Sequence, residues 1–232
     1  MSLRKGALVC FEGGDGAGKT TLSSSVVEKL RPDVTDLVMV DKKGTDFEGL
    51  YLSDRMKDLR KVLWDYPQDA PLWEWGDHHW FHLIVSWFSV LDRCKVRPLL
   101  ERGKIVVVDG WYYKFAARFL LKPEFDQEVV LASFAHLTVP DLVVFVDVDP
   151  HVAVTRRQSF SSTESGRMDG HSKGDAEDFV SYQSKVLGQL RRFSNDSWVR
   201  LDASQLSIEE LVEEASIVIS ELATDCGSTY RT

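Results

Sequence analysis

The chain has 232 residues, 44% of them hydrophobic and 28% charged, a length and balance that suit one globular α/β domain with a full core. Its formal charge of −8 excludes broad binding to a nucleic-acid polymer, which needs Lys and Arg in excess, so any nucleotide calls for a local cationic pocket. Cys10, Cys94 and Cys226 are far apart and form neither a disulfide framework nor a metal-ligand spacing, which points to a reducing, cytoplasmic setting.

The apolar run ahead of Glu12 is shorter than the ~7 residues of a signal-peptide core, so secretion is not expected. It reads as the first of five β-branched runs, at 7–11, 37–40, 105–108, 142–148 and, more weakly, 198–201. These runs are continuous rather than alternating, which predicts strands buried on both faces: a five-stranded parallel sheet flanked by helices. A first helix follows Lys19, with Leu22, Val26, Val27 and Leu30 on one stripe, and Pro32 and Asp33 close it. A charged helix is expected over 53–63. The segment 72–100 reads as one long helix, apolar nearly all round, and a homodimer interface is the simplest use for its second face. Glu74, Asp77 and the histidines interrupt it, so it falls short of the ~18 uninterrupted apolar residues of a membrane span. His78, His79 and His82 on this helix have no third ligand nearby and read as packing rather than metal binding. The stretch 158–177 carries five serines and three glycines without apolar periodicity, and is expected to be a mobile lid or an idle surface loop. Residues 223–232 read as a flexible tail, leaving a single domain over 1–222.

The strongest signal is Gly13-Gly14-Asp15-Gly16-Ala17-Gly18-Lys19-Thr20, which fits G-x-x-x-x-G-K-[ST] between a predicted strand and a predicted helix. Glycines let the backbone wrap a phosphate so that several N–H groups and the helix N-terminus point at the anion. Lys19 adds a mobile positive charge for the β and γ phosphates, and Thr20, followed by Thr21, offers a hydroxyl to Mg²⁺. Asp109 ends the 105–108 run where a carboxylate holds that metal, directly or through water; capping of the next helix is the alternative reading. The motif and the strand order imply a P-loop NTPase fold. No guanine-reading Asn-Lys-x-Asp segment is present, and the chain is short for a motor or transporter, which leaves a small-molecule kinase using ATP and Mg²⁺.

Phe11-Glu12-Gly13-Gly14-Asp15-Gly16-Ala17-Gly18-Lys19-Thr20-Thr21 closely resembles the opening of the thymidylate kinase family of nucleoside monophosphate kinases. Pro98-Leu99-Leu100-Glu101-Arg102-Gly103-Lys104 running into Asp109, and Pro140-Asp141-Leu142-Val143-Val144-Phe145 running to Asp149-Pro150 and Arg156-Arg157, resemble later segments of that family in order. The resemblance implies that Asp15 contacts the acceptor sugar and that Arg60 contacts the acceptor phosphate, with a solvated helix face as the other reading of Arg60. Because Gly16 follows Asp15, it also implies that the transition-state cation comes from the lid. Arg167 is the candidate, with Arg156 and Arg157 next, and Arg156 also stands near adenine.

Departures accompany the likeness. Asp109-Gly110-Trp111 stands where the family carries an Asp-Arg-aromatic motif, and Val40-Asp41-Lys42-Lys43-Gly44-Thr45 replaces a Thr-Arg-Glu-Pro-type loop. The base-reading arginine has no counterpart on the long helix, since Arg93 lies too near the next strand. A dianionic acceptor beside Asp109 needs another cation, and Lys114 and Arg118, four residues apart on the helix expected after Trp111, share one face there; solvated surface cations are the alternative. The resemblance implies transfer of the ATP γ-phosphoryl group to a nucleoside monophosphate, thymidine monophosphate by default, in nucleotide biosynthesis. A kinase for a modified pyrimidine nucleotide or a nucleoside, and a non-catalytic nucleotide-binding protein, are the alternatives.

Overall fold

The computed structural model describes residues 6–67, 70–157, 159–169 and 173–227. Five strands, β1 (Leu8–Glu12), β2 (Leu37–Val40), β3 (Ile105–Asp109), β4 (Leu142–Asp147) and β5 (Trp198–Asp202), form one all-parallel sheet in the order β2-β3-β1-β4-β5. Each run of branched apolar residues became a strand because both of its faces meet helices, which fits the continuous pattern. Every residue of the central strand β1 is buried.

The helices are α1 (Lys19–Leu30), α2 (Leu50–Leu63), α3 (Asp77–Leu91), α4 (Arg97–Glu101), α5 (Tyr113–Phe119), α6 (Gln127–Phe134), α7 (Pro150–Thr155), α8 (Ala176–Phe193) and α9 (Ile208–Asp225). Odd residues of β1, Val9 and Phe11, face a layer built from α1 and α9 through Leu22, Val26, Leu211 and Ile219. Even residues, Leu8 and Cys10, face the second layer, where α3, α5 and α8 contribute Trp87, Phe88, Phe115 and Val186. The ends of the helices are locally encoded: Asp175 caps α8 through the Asp178 N–H, and Ser207 and Glu210 form a capping box on α9.

The segment 72–100 corrects two expectations. It is not one helix from its start: a 3₁₀ turn at Leu72–Trp75 ends at Gly76, whose φ of 77° breaks the backbone path before α3, after which helical backbone continues through a π-helical turn at Asp92–Val96 into α4. Nor does its apolar surface wait for a second subunit. Trp80, Phe81, Ile84, Trp87, Phe88 and Leu91 are all buried within the chain's own core, against α5, Trp111 and Phe134. The sequence pattern looked two-faced because this helix lies under the sheet on one side and under the loops after β2 and α2 on the other. The homodimer through this helix is therefore withdrawn, and no helix among the described residues is long and apolar enough to cross a membrane.

The described residues of 158–177 form turns, a 3₁₀ turn at Arg167–Asp169 and the first residues of α8; 158 and 170–172 lie outside the described residues. Of the expected tail, 223–225 belong to α9, where Ala223 is fully buried, and 228–232 lie outside the described residues.

Candidate functional site

The phosphate loop leaves the C-terminal end of β1, in the middle of the sheet, and feeds directly into α1. This is where an open parallel sheet presents its ligand-binding crevice. Gly13 has a φ of 153° and passes so close to β4 that a Cβ would run into the Val146 carbonyl, which accounts for glycine at that position. Lys19 folds back to donate to the Gly14 carbonyl at 2.6 Å. Burial, and after it the neighbouring Lys114 ammonium, pull the Lys19 pKa down to about 8.

Thr20 Oγ1 donates to Asp109 Oδ2 at 2.5 Å, so the two expected metal-binding residues are brought together from the loop and the end of β3. Asp109 Oδ1 is buried without a hydrogen bond, and so is Glu12 Oε2 beneath it. A hydroxyl and a carboxylate with an unsatisfied oxygen at the mouth of a phosphate loop form the hard-oxygen donor set that suits Mg²⁺ bound jointly with phosphates. Among the described residues no group of three or more His, Cys, Asp or Glu could hold a metal by itself, and the histidines of α3 lie against aromatic rings, His79 on Trp75, His78 on Phe125 and His82 on Phe81.

Lys42, which sequence reasoning passed over, is the cation nearest this carboxylate. Its ammonium donates to the Asp109 carbonyl and lies 3.9 Å from Asp109 Oδ1. A Cβ on Gly110, which has a φ of 86°, would come within 2.7 Å of Lys42 Nζ. Glycine at 110 and lysine at 42 thus share one volume: the absence of a side chain at 110 leaves the space that Lys42 enters from the other loop. The Lys42 backbone is in turn fixed by α3, whose buried Trp87 donates its indole N–H to the Lys42 carbonyl at 2.7 Å. Burial first, and then Lys114, hold the Lys42 pKa below its usual value.

Asp15 does not stand free toward an acceptor. Lys114 Nζ and Arg118 both bind its carboxylate, at 2.7 and 2.5 Å, and Gln183 of α8 adds a 3.1 Å bond while accepting from the Asp15 N–H. Burial pushes the Asp15 carboxyl up, but the two cations outweigh it and leave it well below the ordinary range. Lys114 and Arg118 do share one face of α5, as their spacing predicted, and both line the cleft. Gln183 was invisible in the sequence because nothing local marks a mid-helix glutamine as facing a loop 168 residues away.

Glu12 Oε1 accepts the Trp111 N–H at 2.8 Å and so fixes the turn after β3. Burial holds the Glu12 carboxyl above its ordinary value.

Arg156 and Arg157 also line the cleft; Arg156 donates to the Ala203 carbonyl at 2.9 Å, and Arg157 pairs with Glu164. Arg167 does not: it is exposed, with its side chain beside Gly174. Arg60 lies outside the cleft lining as well. It holds Asp65 at 2.9 Å and the Lys43 carbonyl at 3.0 Å, which steadies the loop carrying Lys42.

The cleft adjoins a second, mainly apolar cavity of about 100 Å³, and Trp64, Tyr66, Phe115, Arg118 and Thr163 line both. Trp64 packs edge-on against Phe115 and Trp87, and Tyr66 against Trp80, so the walls are flat aromatic surfaces locked to one another. An anion-binding loop beside a flat apolar slot sets a place for a phosphoryl donor next to one for an aromatic ring.

No protein-family model matches the chain. Curated relatives do: a thymidylate kinase of Danio rerio is 26% identical over 215 residues, covering 91% of this chain and 88% of the relative. One of Rickettsia canadensis is 24% identical over 226 residues, covering 92% and 98%, and one of Lactiplantibacillus plantarum is 26% identical over 235 residues, covering 96% of each. The solved structure of a thymidylate kinase from Candida albicans superposes with a TM-score of 0.67 at 17% identity, covering 93% of this chain and 92% of the other, which establishes the likeness of fold.

Proposed function

This chain is a homologue of the thymidylate kinase family, and on that footing we propose that it transfers the γ-phosphoryl group of ATP to a nucleoside monophosphate, with thymidine monophosphate as the acceptor the family name supplies. The observation that carries this reading is that the Lys19–Thr20–Asp109 cleft lies directly beside the aromatic cavity, with Phe115 and Arg118 lining both.

The loop backbone and Lys19 bind the β and γ phosphates and hold them in line. Thr20 and Asp109 would hold Mg²⁺, which supplies charge neutralisation across phosphate oxygens in the loose transition state. Lys42 sets a positive charge beside Asp109, where an acceptor phosphate would otherwise meet a bare carboxylate, and takes the part expected of an arginine at 110. Lys114 and Arg118, anchored on Asp15, extend the positive wall toward the acceptor. An oxygen of the acceptor phosphate attacks the γ phosphorus, and the bond to the bridging oxygen breaks with its electrons leaving on ADP. Arg156 and Arg157 are the cations of the 150s segment at the cleft, and they replace Arg167 as the groups that meet the transferred phosphoryl. The three free cysteines accord with a reducing compartment such as the cytoplasm.

A non-catalytic nucleotide-binding role is disfavoured because Lys19, Thr20 and Asp109 are all present and assembled. A kinase of the same superfamily with another acceptor is favoured by one observation, the Gly110–Lys42 exchange. The test is release of ADP from ATP and Mg²⁺ against a panel of nucleosides and nucleoside monophosphates. Turnover dependent on a monophosphate supports the proposal; turnover only with unphosphorylated nucleosides moves the acceptor class, and none with any acceptor defeats the kinase reading.

A further inference from the structure

Gln183 lies in the middle of α8 and is 1% exposed, yet its side chain is spent on polar partners from two distant pieces of chain. Its Oε1 accepts the Asp15 N–H at 2.9 Å, while Nε2 donates to Asp15 Oδ2 at 3.1 Å and to the Glu164 carbonyl at 2.8 Å. A primary amide has two N–H donors, and both are used here. The Asp15 N–H can only donate and the Glu164 carbonyl can only accept, so the partners themselves fix which way the amide points. Held in this way, the amide is a spacer that sets the phosphate loop and the segment 161–165 at one distance from each other.

That segment is a stiff turn. The Ser161 carbonyl accepts the N–H groups of Glu164 and Ser165 at 3.0 and 3.1 Å and the Ser165 hydroxyl at 3.1 Å. Glu164 closes the turn with its own side chain: Oε2 accepts the Ser161 N–H at 3.0 Å, and Oε1 accepts from Arg157. The Glu164 carboxylate therefore cannot move without its backbone, and its backbone is bonded to Gln183. Arg157 Nε has no hydrogen-bond partner, so the guanidinium keeps a donor that Glu164 does not use, on a residue that lines the cleft. The links run without a gap from Asp15 through Gln183 and Glu164 to Arg157. A cation that stabilises charge developing on a phosphoryl group acts only from a narrow range of positions, so whatever sets its distance from the phosphate loop governs the rate.

We propose that Gln183 is a positioning residue that ties the 161–165 turn to the phosphate loop and so sets Arg157, through Glu164, against the transferred phosphoryl. The inference rests on the proposed kinase reading and deepens it, because it names the device that registers the phosphate-binding loop with the cation of the opposite wall. Gln183 itself touches neither nucleotide.

A double-mutant cycle in kcat provides the test, with ATP, Mg²⁺ and thymidine monophosphate as substrates. Gln183→Met, similar in length and without hydrogen-bonding capacity for these partners, is expected to lower kcat about tenfold in a protein that a thermal melt shows to be folded. In the Arg157→Ala background the same change is expected to alter kcat less than about twofold, since the group it positions is gone. A general structural role would instead lower kcat by the same factor in both backgrounds, so additive losses overturn the inference, as does a normal kcat in Gln183→Met. If Gln183→Met does not fold, Gln183→Glu takes its place in the cycle: its carboxylate still accepts the Asp15 N–H but has no hydrogen for the Glu164 carbonyl. If the wild-type protein phosphorylates no acceptor, the kinase reading has failed, and amide hydrogen exchange of residues 161–165 with and without ADP and Mg²⁺ decides the coupling alone. Slowing on ADP binding that is lost in the Gln183 variant supports it; slowing that persists in the variant, or none in the wild type, refutes it.

Discussion

At the phosphate end of the cleft, one loop supplies a dense run of lining residues between Asp15 and Thr21, joined by Asp109, Lys42 and the arginines at 156 and 157. At the acceptor end the lining is gathered from separate pieces of chain: Trp64 and Tyr66 after α2, Trp80 in α3, Phe115 and Arg118 in α5, then Lys122 and Asp169. Backbone N–H groups do the work in the first region, so it tolerates little change in chain path and leaves a dense local motif. Side chains do it in the second, so the same fold can be refitted for another acceptor by exchanging residues far apart in sequence. Gly110 and Lys42 lie on the border of the two regions, glycine leaving open a volume that the lysine fills.

The sharpest way to break this contrast is at Lys19. Removing a charged partner of phosphate from a dry site costs at least about 1.5 to 3 kcal/mol, more in the transition state, so Lys19→Ala should lower kcat by ~10²-fold or more. The melting temperature should hold, because Lys19 bonds only the loop carbonyl of Gly14. Steady-state kinetics and a thermal melt together check this; normal turnover would remove the phosphate loop from the mechanism.

A smaller effect is expected at the border. In Gly110→Ala the residue keeps a φ of 86° that L side chains rarely adopt, and its Cβ displaces Lys42 Nζ from 2.7 Å. Strain of this kind costs roughly 1 to 3 kcal/mol, so the variant should be destabilised by about that amount in a denaturant titration and should lose acceptor affinity about tenfold. Lys42→Ala should reproduce the loss of affinity without the strain. If Lys42→Ala binds acceptor normally, the lysine only neutralises Asp109.

The Asp15 cluster joins the two regions, and its energetics can be read from pH. Because the folded-state pKa of Asp15 is depressed, with Lys114 and Arg118 overcoming the effect of burial, its contribution to stability is complete above the unfolded value of ~3.9 and is lost as pH falls through the folded value. Asp15→Asn should therefore flatten part of the acid limb of a plot of melting temperature against pH. A double-mutant cycle of Asp15→Asn with Lys114→Ala should give a coupling of roughly 0.5 to 3 kcal/mol, and additivity would mean the bond is not formed in solution.

The same division explains what the sequence disclosed. All five strands were legible because burial on both faces leaves an uninterrupted apolar run, and the start of α1 because the phosphate loop defines it. Thr20 and Asp109 were legible by motif and by strand end. Lys42 was not: it sits in a loop with Lys43 alongside and no periodicity, and its role appears only when β2 and β3 pair and set it against Asp109. The long helix misled because an apolar pattern reports that a face is covered, not which part of the protein covers it; Trp80 and Trp87 are covered by the chain's own loops, and their indole N–H groups are satisfied by the carbonyls of Leu72 and Lys42. Lys122 carries no local signal, since its partners Asp77 and Asp169 lie 45 and 47 residues away in opposite directions.

The smallest expected effect separates two arginines that composition treats alike. Arg167 is exposed beside Gly174, outside the cleft, and Arg167→Ala should leave kcat within about threefold of wild type, in the range of surface substitutions worth roughly 0.5 kcal/mol. Arg157 lines the cleft and is held by Glu164. A cation that meets the phosphoryl group only in the transition state lowers kcat and kcat/KM together when removed, so Arg157→Ala should do so with ATP affinity nearly unchanged. Glu164→Gln should release Arg157 from its pair and shift kcat without moving the acceptor KM. If instead Arg167→Ala costs tenfold or more in kcat while Arg157→Ala is silent, the 3₁₀ turn at Arg167–Asp169 must turn its arginine inward when nucleotide binds. The acceptor cavity, which Asp169 of the same turn helps to close, would then change shape during turnover, and the two ends of the cleft would be coupled through that turn.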